Sequence, residues 1–242
     1  MTMKAILTFH SIDDSGSALS YPPKAFASLL EALAKSGPTV LGLDELLREE
    51  TKSGITITFD DGMRSVFTDA LPVLRDYSVP AHLFLATCFV DKKDHCSDLS
   101  QSVPGFDMLA WADIERMHAA GICIESHTNS HPDLRELNGD AIQEECAVAD
   151  DLIEARLGRR PQYFAYPFGY QNDAICAFVR NRYKAAVTTE LRFLSGREDA
   201  ARLPRLDAYY LQNHWLHRNL DSAFSRIYLS LRSLLRTLRN RL

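Results

Sequence analysis

Short apolar runs of strand length alternate with amphipathic stretches of helix length along most of this 242-residue chain. A strand buried on both faces reads as a continuous apolar run, whereas a helix packed on one side repeats its apolar residues with a period near 3.6. The runs Ala5 to Phe9, Ile55 to Phe59, Ala81 to Ala86, Ile122 to Glu125, Tyr163 to Tyr166 and Lys184 to Val187 are of the first kind. Pro23 to Lys35, Ser65 to Asp76, Trp111 to Ala119, Asp140 to Leu157 and Asn172 to Arg182 are of the second. This alternation predicts an α/β domain with a mainly parallel sheet and helices packed outside it. Length and strand count favour closure into one (β/α) barrel, with an open sheet as the alternative. No Gly/Ser/Pro-rich linker divides the chain, and 46% hydrophobic residues are enough to fill a sizeable single core. Val90 to Asp107 has no clean period and is expected to be a long surface loop near a site, or a variable insertion.

The formal net charge of −5 leaves no basic footprint, so a nucleic-acid partner is not expected. Met1-Thr2-Met3-Lys4 runs directly into a strand-length apolar segment, without the long apolar stretch and small-residue cleavage site of a signal peptide. The five cysteines Cys88, Cys96, Cys123, Cys146 and Cys176 are odd in number, scattered and without a CxxC pair. They read as reduced thiols, and a cytoplasmic protein is expected. No Rossmann glycine fingerprint, P-loop or Gly-x-Ser-x-Gly elbow occurs, so neither a nucleotide cofactor nor a serine hydrolase is indicated.

Three polar clusters follow predicted strands, and in parallel α/β folds the site forms where the loops converge over the C-terminal strand ends. In Thr58-Phe59-Asp60-Asp61-Gly62 two adjacent carboxylates repel each other unless a cation or an arginine compensates them. One of them can bind an ion while the other faces its water; the alternative is an Asp-Gly turn with a helix N-cap. In His127-Thr128-Asn129-Ser130-His131 two histidines four apart can face one ion if the backbone between them makes a helical turn. With Asp61 they form a set of two imidazoles and one carboxylate that leaves coordination positions open, as catalytic rather than structural zinc sites require. Such a histidine pair alone is commonly incidental; beside an acidic strand end it is much less so. The third cluster, Phe164-Ala165-Tyr166-Pro167-Phe168-Gly169, makes a sharp strand exit where a backbone N–H can be aimed at an oxyanion, or is merely an aromatic turn.

In order and approximate spacing, these three motifs resemble those of the polysaccharide deacetylases, the NodB-homology carbohydrate esterases, over about Lys4 to Asp207. The resemblance implies a distorted (β/α) barrel of about seven strands that removes acetyl groups from N-acetylated amino sugars with one divalent metal, Zn²⁺ foremost. It implies Asp61, His127 and His131 as metal ligands, Asp60 as general base, and the turn around Tyr166 as the oxyanion-hole segment. Many members carry an arginine in the third motif that pairs with the base, and here Ala165 stands in its place. Arg205, in Leu203-Pro204-Arg205-Leu206-Asp207, resembles the arginine that serves instead in the branch with an Ala-Tyr-Pro third motif. The C-terminal Leu-x-Leu-x-His motif that supplies the general acid is not recognisable, and His214 and His217 match it poorly. Leu7-Thr8-Phe9-His10-Ser11 resembles the N-terminal segment of the biofilm-polysaccharide branch, which implies His10 rather than His214 as the acid. The implied substrate is a polysaccharide, an oligosaccharide or a lipid-linked glycan. The competing readings are a cyclic-amide or other acyl hydrolase on the same barrel, and a catalytically silent carbohydrate-binding module.

Residues 216–242 contain six arginines against one aspartate, a net +5, leaving −10 for the rest. Leu220, Phe224, Ile227, Leu231, Leu234 and Leu238 recur at alternating spacings of four and three, which predicts one long amphipathic helix after a barrel occupying residues 1–215. The first expectation is that the stripe packs on the barrel or on a partner subunit. The second is contact with an anionic membrane surface, which would place the protein peripherally on the inner face of the membrane. Nucleic-acid binding comes a distant third.

Overall fold

The computed structural model describes residues 3–91 and 105–239, so most of the aperiodic stretch expected as a loop, Cys96 and the last three residues lie outside the described part. Seven strands form one sheet: β1 (Lys4–Phe9), β2 (Gly54–Asp61), β3 (Ala81–Leu85), β4 (Cys123–Ser126), β5 (Tyr163–Ala165), β6 (Ala185–Val187) and β7 (Leu206–Asp207). Their order is β6-β5-β4-β3-β2-β1-β7, and every pair is parallel. The six apolar runs of the sequence are β1 to β6, each within two residues of its expected ends. Side chains from their two faces fill the core; Phe9, Phe26 and Phe59 meet with ring centroids 5.3 to 5.9 Å apart. Each such buried ring contributes roughly 1.5–3 kcal/mol relative to exposure.

The sheet curls into a distorted half-barrel whose two edges are joined by a single segment. The Leu203 N–H donates to the Ala186 carbonyl and the Thr188 N–H to the Leu203 carbonyl, tying this residue to β6. Three residues later Leu206 pairs with Leu7 of β1. The chain from Leu203 to Asp207 therefore spans the seam, with Arg205 in its middle.

Helices α1 (Pro23–Ser36), α2 (Leu43–Leu46), α3 (Leu71–Asp76), α4 (Trp111–Ala119), α5 (Gly139–Leu157) and α6 (Asp173–Arg182) lie in the connections. The helix expected from Ser65 to Asp76 is divided. A π-helical turn, Val66–Ala70, in which Leu71 N–H bonds the Val66 carbonyl, precedes α3. Pro72 is the reason, since it has no N–H to give to Thr68 four residues back.

The C-terminal region also departs from expectation. A short helix α7 (His214–Arg218) contains the boundary expected at residue 215, and the long helix α8 begins only at Ala223 and runs to Arg239. Ser222 Oγ accepts the Ser225 N–H, capping the new start, while Leu220 lies before the helix and is buried in the core. Of the α8 residues, Ser225 and Leu229 face the body, and the expected stripe faces outward: Phe224, Ile227, Leu231, Leu234 and Leu238 are each at least half exposed. The stripe does not pack on the barrel. Among the described residues, no helix is long and apolar enough to cross a membrane.

Candidate active site

All three motifs arrive at the C-terminal end of the sheet. β2 ends on Asp60 and Asp61, which pair with Phe84 and Leu85 of β3, and His127 follows β4 directly. Alternation along β2 sends the two carboxylates different ways. Asp61 and Gly62 both turn at positive φ, 69° and 103°, and a Cβ on Gly62 would stand 2.6 Å from Leu85 Cδ1. The Asp-Asp-Gly order thus has a backbone reason as well as a chemical one.

The histidine pair does not sit on the helical turn that its spacing suggested. Thr128 and His131 adopt left-handed φ values of 67° and 58°, and Thr128 Oγ1 accepts the His131 N–H at 3.0 Å. Glu145 of α5 holds the loop from behind, accepting from the Asn129 and Ser130 N–H groups and the Ser130 hydroxyl. With Phe168 at φ 58°, left-handed residues recur in all three site loops, the kind of backbone strain that persists where surrounding structure over-determines it.

The loops bring Asp61, His127 and His131 together, all buried, with one ligating atom of each within 4.8 Å of the others. Asp61 Oδ1 lies 3.4 Å from His127 Nε2 and 3.5 Å from His131 Nε2, and the two Nε2 atoms are 3.1 Å apart. A tetrahedral ion with ligands at about 2.05 Å separates its ligand atoms by about 3.3 Å, so the three atoms fit one such ion. His127 Nδ1 donates to the Ala165 carbonyl at 2.8 Å, which fixes the ring with Nε2 facing Asp61 and His131. Burial and the charge of His127 push His131 down to about 4, so its imidazole is neutral at neutral pH, the form that can ligate an ion. Burial works to raise Asp61, but the hydrogen bond from His127 and the charges of both histidines hold it well below the usual carboxylate range.

Asp60 faces Arg205. The guanidinium donates from Nη1 to Asp60 Oδ1 at 2.7 Å and from Nη2 to Oδ2 at 2.6 Å, with both side chains nearly inaccessible. Its Nε donates to the Thr188 carbonyl and Nη1 also to Thr58 Oγ1, while its backbone N–H donates to the Glu190 carbonyl. Burial alone would raise Asp60, but the Arg205 charge and hydrogen bonds outweigh it and keep the carboxyl below its ordinary 3.8.

His10, half-buried, follows β1 immediately after Phe9, which pairs with Phe59, so it comes level with Asp60. Its charge acts on both Asp60 and Asp61. The structure does not bring His214 to this group: it lies exposed on α7, with Nδ1 3.1 Å from Ser28 Oγ of α1. His217 is likewise engaged elsewhere, with Tyr21 and the Leu211 carbonyl.

Within the third motif the structure moves the candidate oxyanion donor two residues on. The Tyr166 N–H is committed to the Val187 carbonyl of β6, and its hydroxyl donates to the Ala201 carbonyl. Its ring packs among Phe164, Ile175 and Cys176, away from the strand ends. The Phe168 N–H, by contrast, makes no hydrogen bond among the described residues, and the Phe168 ring meets His131 edge-on at 4.6 Å. The clue in the sequence was Gly169, whose φ of 74° and tight approach to Thr189 mark the turn's sharpest point.

Comparison with known proteins agrees with this geometry. The sequence profile of the family described as polysaccharide deacetylase matches residues 48–185, the segment carrying all three motifs. YxkH of Bacillus subtilis (strain 168) is 30% identical over 192 residues, which make up 76% of this chain and 64% of that protein. A poly-beta-1,6-N-acetyl-D-glucosamine N-deacetylase of Staphylococcus epidermidis is 24% identical over 202 residues, covering 77% of this chain and 67% of the relative. The fold matches that of IcaB from Ammonifex degensii with a TM-score of 0.73 at 23% identity, over 90% of this chain and 98% of the other. With the profile matching more than half of its length, this chain belongs to the polysaccharide deacetylase family.

Proposed function

We propose that this protein is a metal-dependent N-deacetylase that hydrolyses the acetamide of N-acetylated amino sugars in a polysaccharide, an oligosaccharide or a lipid-linked glycan. The observation that carries the reading is the pairing of Asp60 with Arg205 beside the converging Asp61, His127 and His131. A buried carboxylate held ionised next to a ligand set is what a general base needs and what a silent binding module has no use for. The poly-beta-1,6-N-acetyl-D-glucosamine named for the Staphylococcus epidermidis relative makes a β-1,6-linked oligomer the first substrate to try.

Asp61, His127 and His131 would hold the ion, with Zn²⁺ favoured by two nitrogen ligands and one oxygen in an open tetrahedral set. A divalent cation there supplies Lewis acidity toward the acetyl carbonyl and acidifies water. The chain's own residues supply the remaining chemistry. Asp60 accepts the proton of the water whose oxygen attacks the acetyl carbon, and Arg205 keeps it anionic until then. The Phe168 N–H, unpaired among the described residues, donates to the oxyanion that forms. The C–N bond then breaks as His10 gives a proton to the departing amine, and acetate is left. Without that proton the amide nitrogen would leave as a strongly basic anion.

The reading includes a cytoplasmic location, supported by the unbridged, buried Cys146 and Cys176. Acetate release from N-acetylglucosamine oligomers tests the function. Release that requires both the metal and Asp60 supports it; a metal-loaded protein that releases none from either free or lipid-linked sugars refutes it.

A further inference from the structure

Helix α8 makes its contacts with the body through the side opposite its apolar stripe. Ser225 and Leu229 are buried against the body, Arg226 lies over the Phe193 ring at 5.1 Å, and Arg236 Nη1 is 3.7 Å from Asp207. The opposite face presents Phe224, Ile227, Leu231, Leu234, Leu235 and Leu238 to solvent, each 50 to 61% exposed. Trp215 of α7 extends this surface, meeting Phe224 edge-on at 4.9 Å, and is itself 46% exposed. A continuous apolar strip with an aromatic end is costly to leave in water and marks an interaction surface.

Its charge identifies the occupant. Residues 222–242 contain no acidic residue and five arginines. On a helical projection the exposed Arg232 falls along one border of the apolar sector, where a long basic side chain can reach a headgroup layer while the leucines enter the acyl boundary. A second copy of the helix is disfavoured by the same feature. The four-three spacing would suit a two-helix seam, but the flanks of both helices would be positive, with no acidic residue to answer them. An anionic lipid surface answers both the apolar strip and the charge.

We propose that the outer face of α8, together with Trp215, seats the protein on an anionic bilayer surface. The helix start lies near Phe193, beside the Leu194–Lys4 bridge at the beginning of β1, and Arg236 reaches Asp207 at the end of β7. The helix thus runs alongside the strands, and a bilayer on its outer face lies beside the site mouth and leaves it open. This inference does not rest on the deacetylase reading.

The test is co-sedimentation of the full chain with vesicles of phosphatidylcholine alone and of phosphatidylcholine containing phosphatidylglycerol, using wild type and Leu231→Asp/Leu234→Asp. Both substituted positions are more than half exposed, so the fold should persist, and circular dichroism with an unchanged thermal melting profile verifies it. Wild type is expected to partition onto the anionic vesicles, and the double variant to bind at least about tenfold more weakly. Raising salt should weaken wild-type binding as well. Failure of wild type to bind anionic vesicles overturns the proposal, as does undiminished binding by the folded double variant. A wild-type dimer that the double variant dissociates, without lipid binding, would overturn it in favour of a self-interface. None of these outcomes bears on acetate release, so the two proposals fail separately.

Discussion

Arg205 and Asp60, 145 residues apart, form a two-armed ion pair with N–O distances of 2.7 and 2.6 Å, nearly sealed from solvent at the seam where the sheet closes. The same contact ties the segment that spans the seam to β2 and sets the charge of the candidate base. Breaking a buried pair by removing one partner costs roughly 3–5 kcal/mol. Arg205→Met should therefore lower thermal stability markedly, and Asp60→Asn/Arg205→Met should lose less than the two single changes combined, as a double-mutant cycle by calorimetry would show.

The same pair sets a pH dependence. Asp60 titrates below its ordinary 3.8 in the folded chain, so its stabilising contribution is complete above the unfolded value and is lost as pH falls through the lower, folded one. Without Arg205 the burial penalty is unopposed and the carboxyl rises. The acid limb of kcat/KM in Arg205→Met should move to higher pH relative to wild type; an unchanged limb would mean that Arg205 does not act through Asp60.

Metal should stabilise the chain measurably. A ligand present at a hundredfold its Kd adds about 2.7 kcal/mol, and for a domain of this size each kcal/mol is worth roughly 2–4 °C. Melting with chelator and after Zn²⁺ is restored should differ by roughly 5–10 °C in wild type. His131→Ala, which removes one of the three converging atoms, should show almost no difference and should bind substoichiometric metal by elemental analysis.

The two candidate acids are separable. His10→Asn is expected to reduce kcat by about 10² to 10⁴ while leaving metal content unchanged. His214 lies beside Ser28 on an exposed surface, so His214→Asn should stay within about twofold of wild type. Steady-state kinetics on both variants decides between them, and the reverse pattern would reassign the acid.

A turn prediction follows from Gly169. A Cβ there would stand 2.2 Å from Thr189 Oγ1, at a φ of 74° that an L side chain adopts at a cost of about 1–2 kcal/mol. Gly169→Ala should lower kcat by displacing the Phe168 N–H, with metal affinity retained. Removing the obstructing side chain in Gly169→Ala/Thr189→Ala should restore part of the rate.

What the sequence could show followed from how local each signal is. β1 to β6 announced themselves because strands buried on both faces are continuous apolar runs. β7 is two residues long, Leu206–Asp207, too short for any periodicity, and Arg205 was legible only through its likeness to a known motif. The ligand residues were visible as residue types at strand ends, whereas the left-handed turns at Thr128 and His131 were not, because they depend on a Thr128 hydroxyl and a Glu145 from another element. The turn around Tyr166 is visible in the sequence as a Pro/Gly strand exit, but which of its N–H groups stays unpaired among the described residues is decided by the pairing of Tyr166 with Val187, a contact across 21 residues. In α8 the spacing gave the stripe correctly and not its direction, since Ser225 and Leu229 on the other side made the contacts with the body.

Metal content and acetate release, measured on wild type and Asp60→Asn with N-acetylglucosamine oligomers, test the central claim most directly. The expected result is about one metal in each protein, acetate from wild type, and release reduced by at least about a hundredfold in Asp60→Asn. Asp60→Asn that holds metal and releases acetate at the wild-type rate would contradict the assignment of Asp60 as the base and, with it, the role given to Arg205.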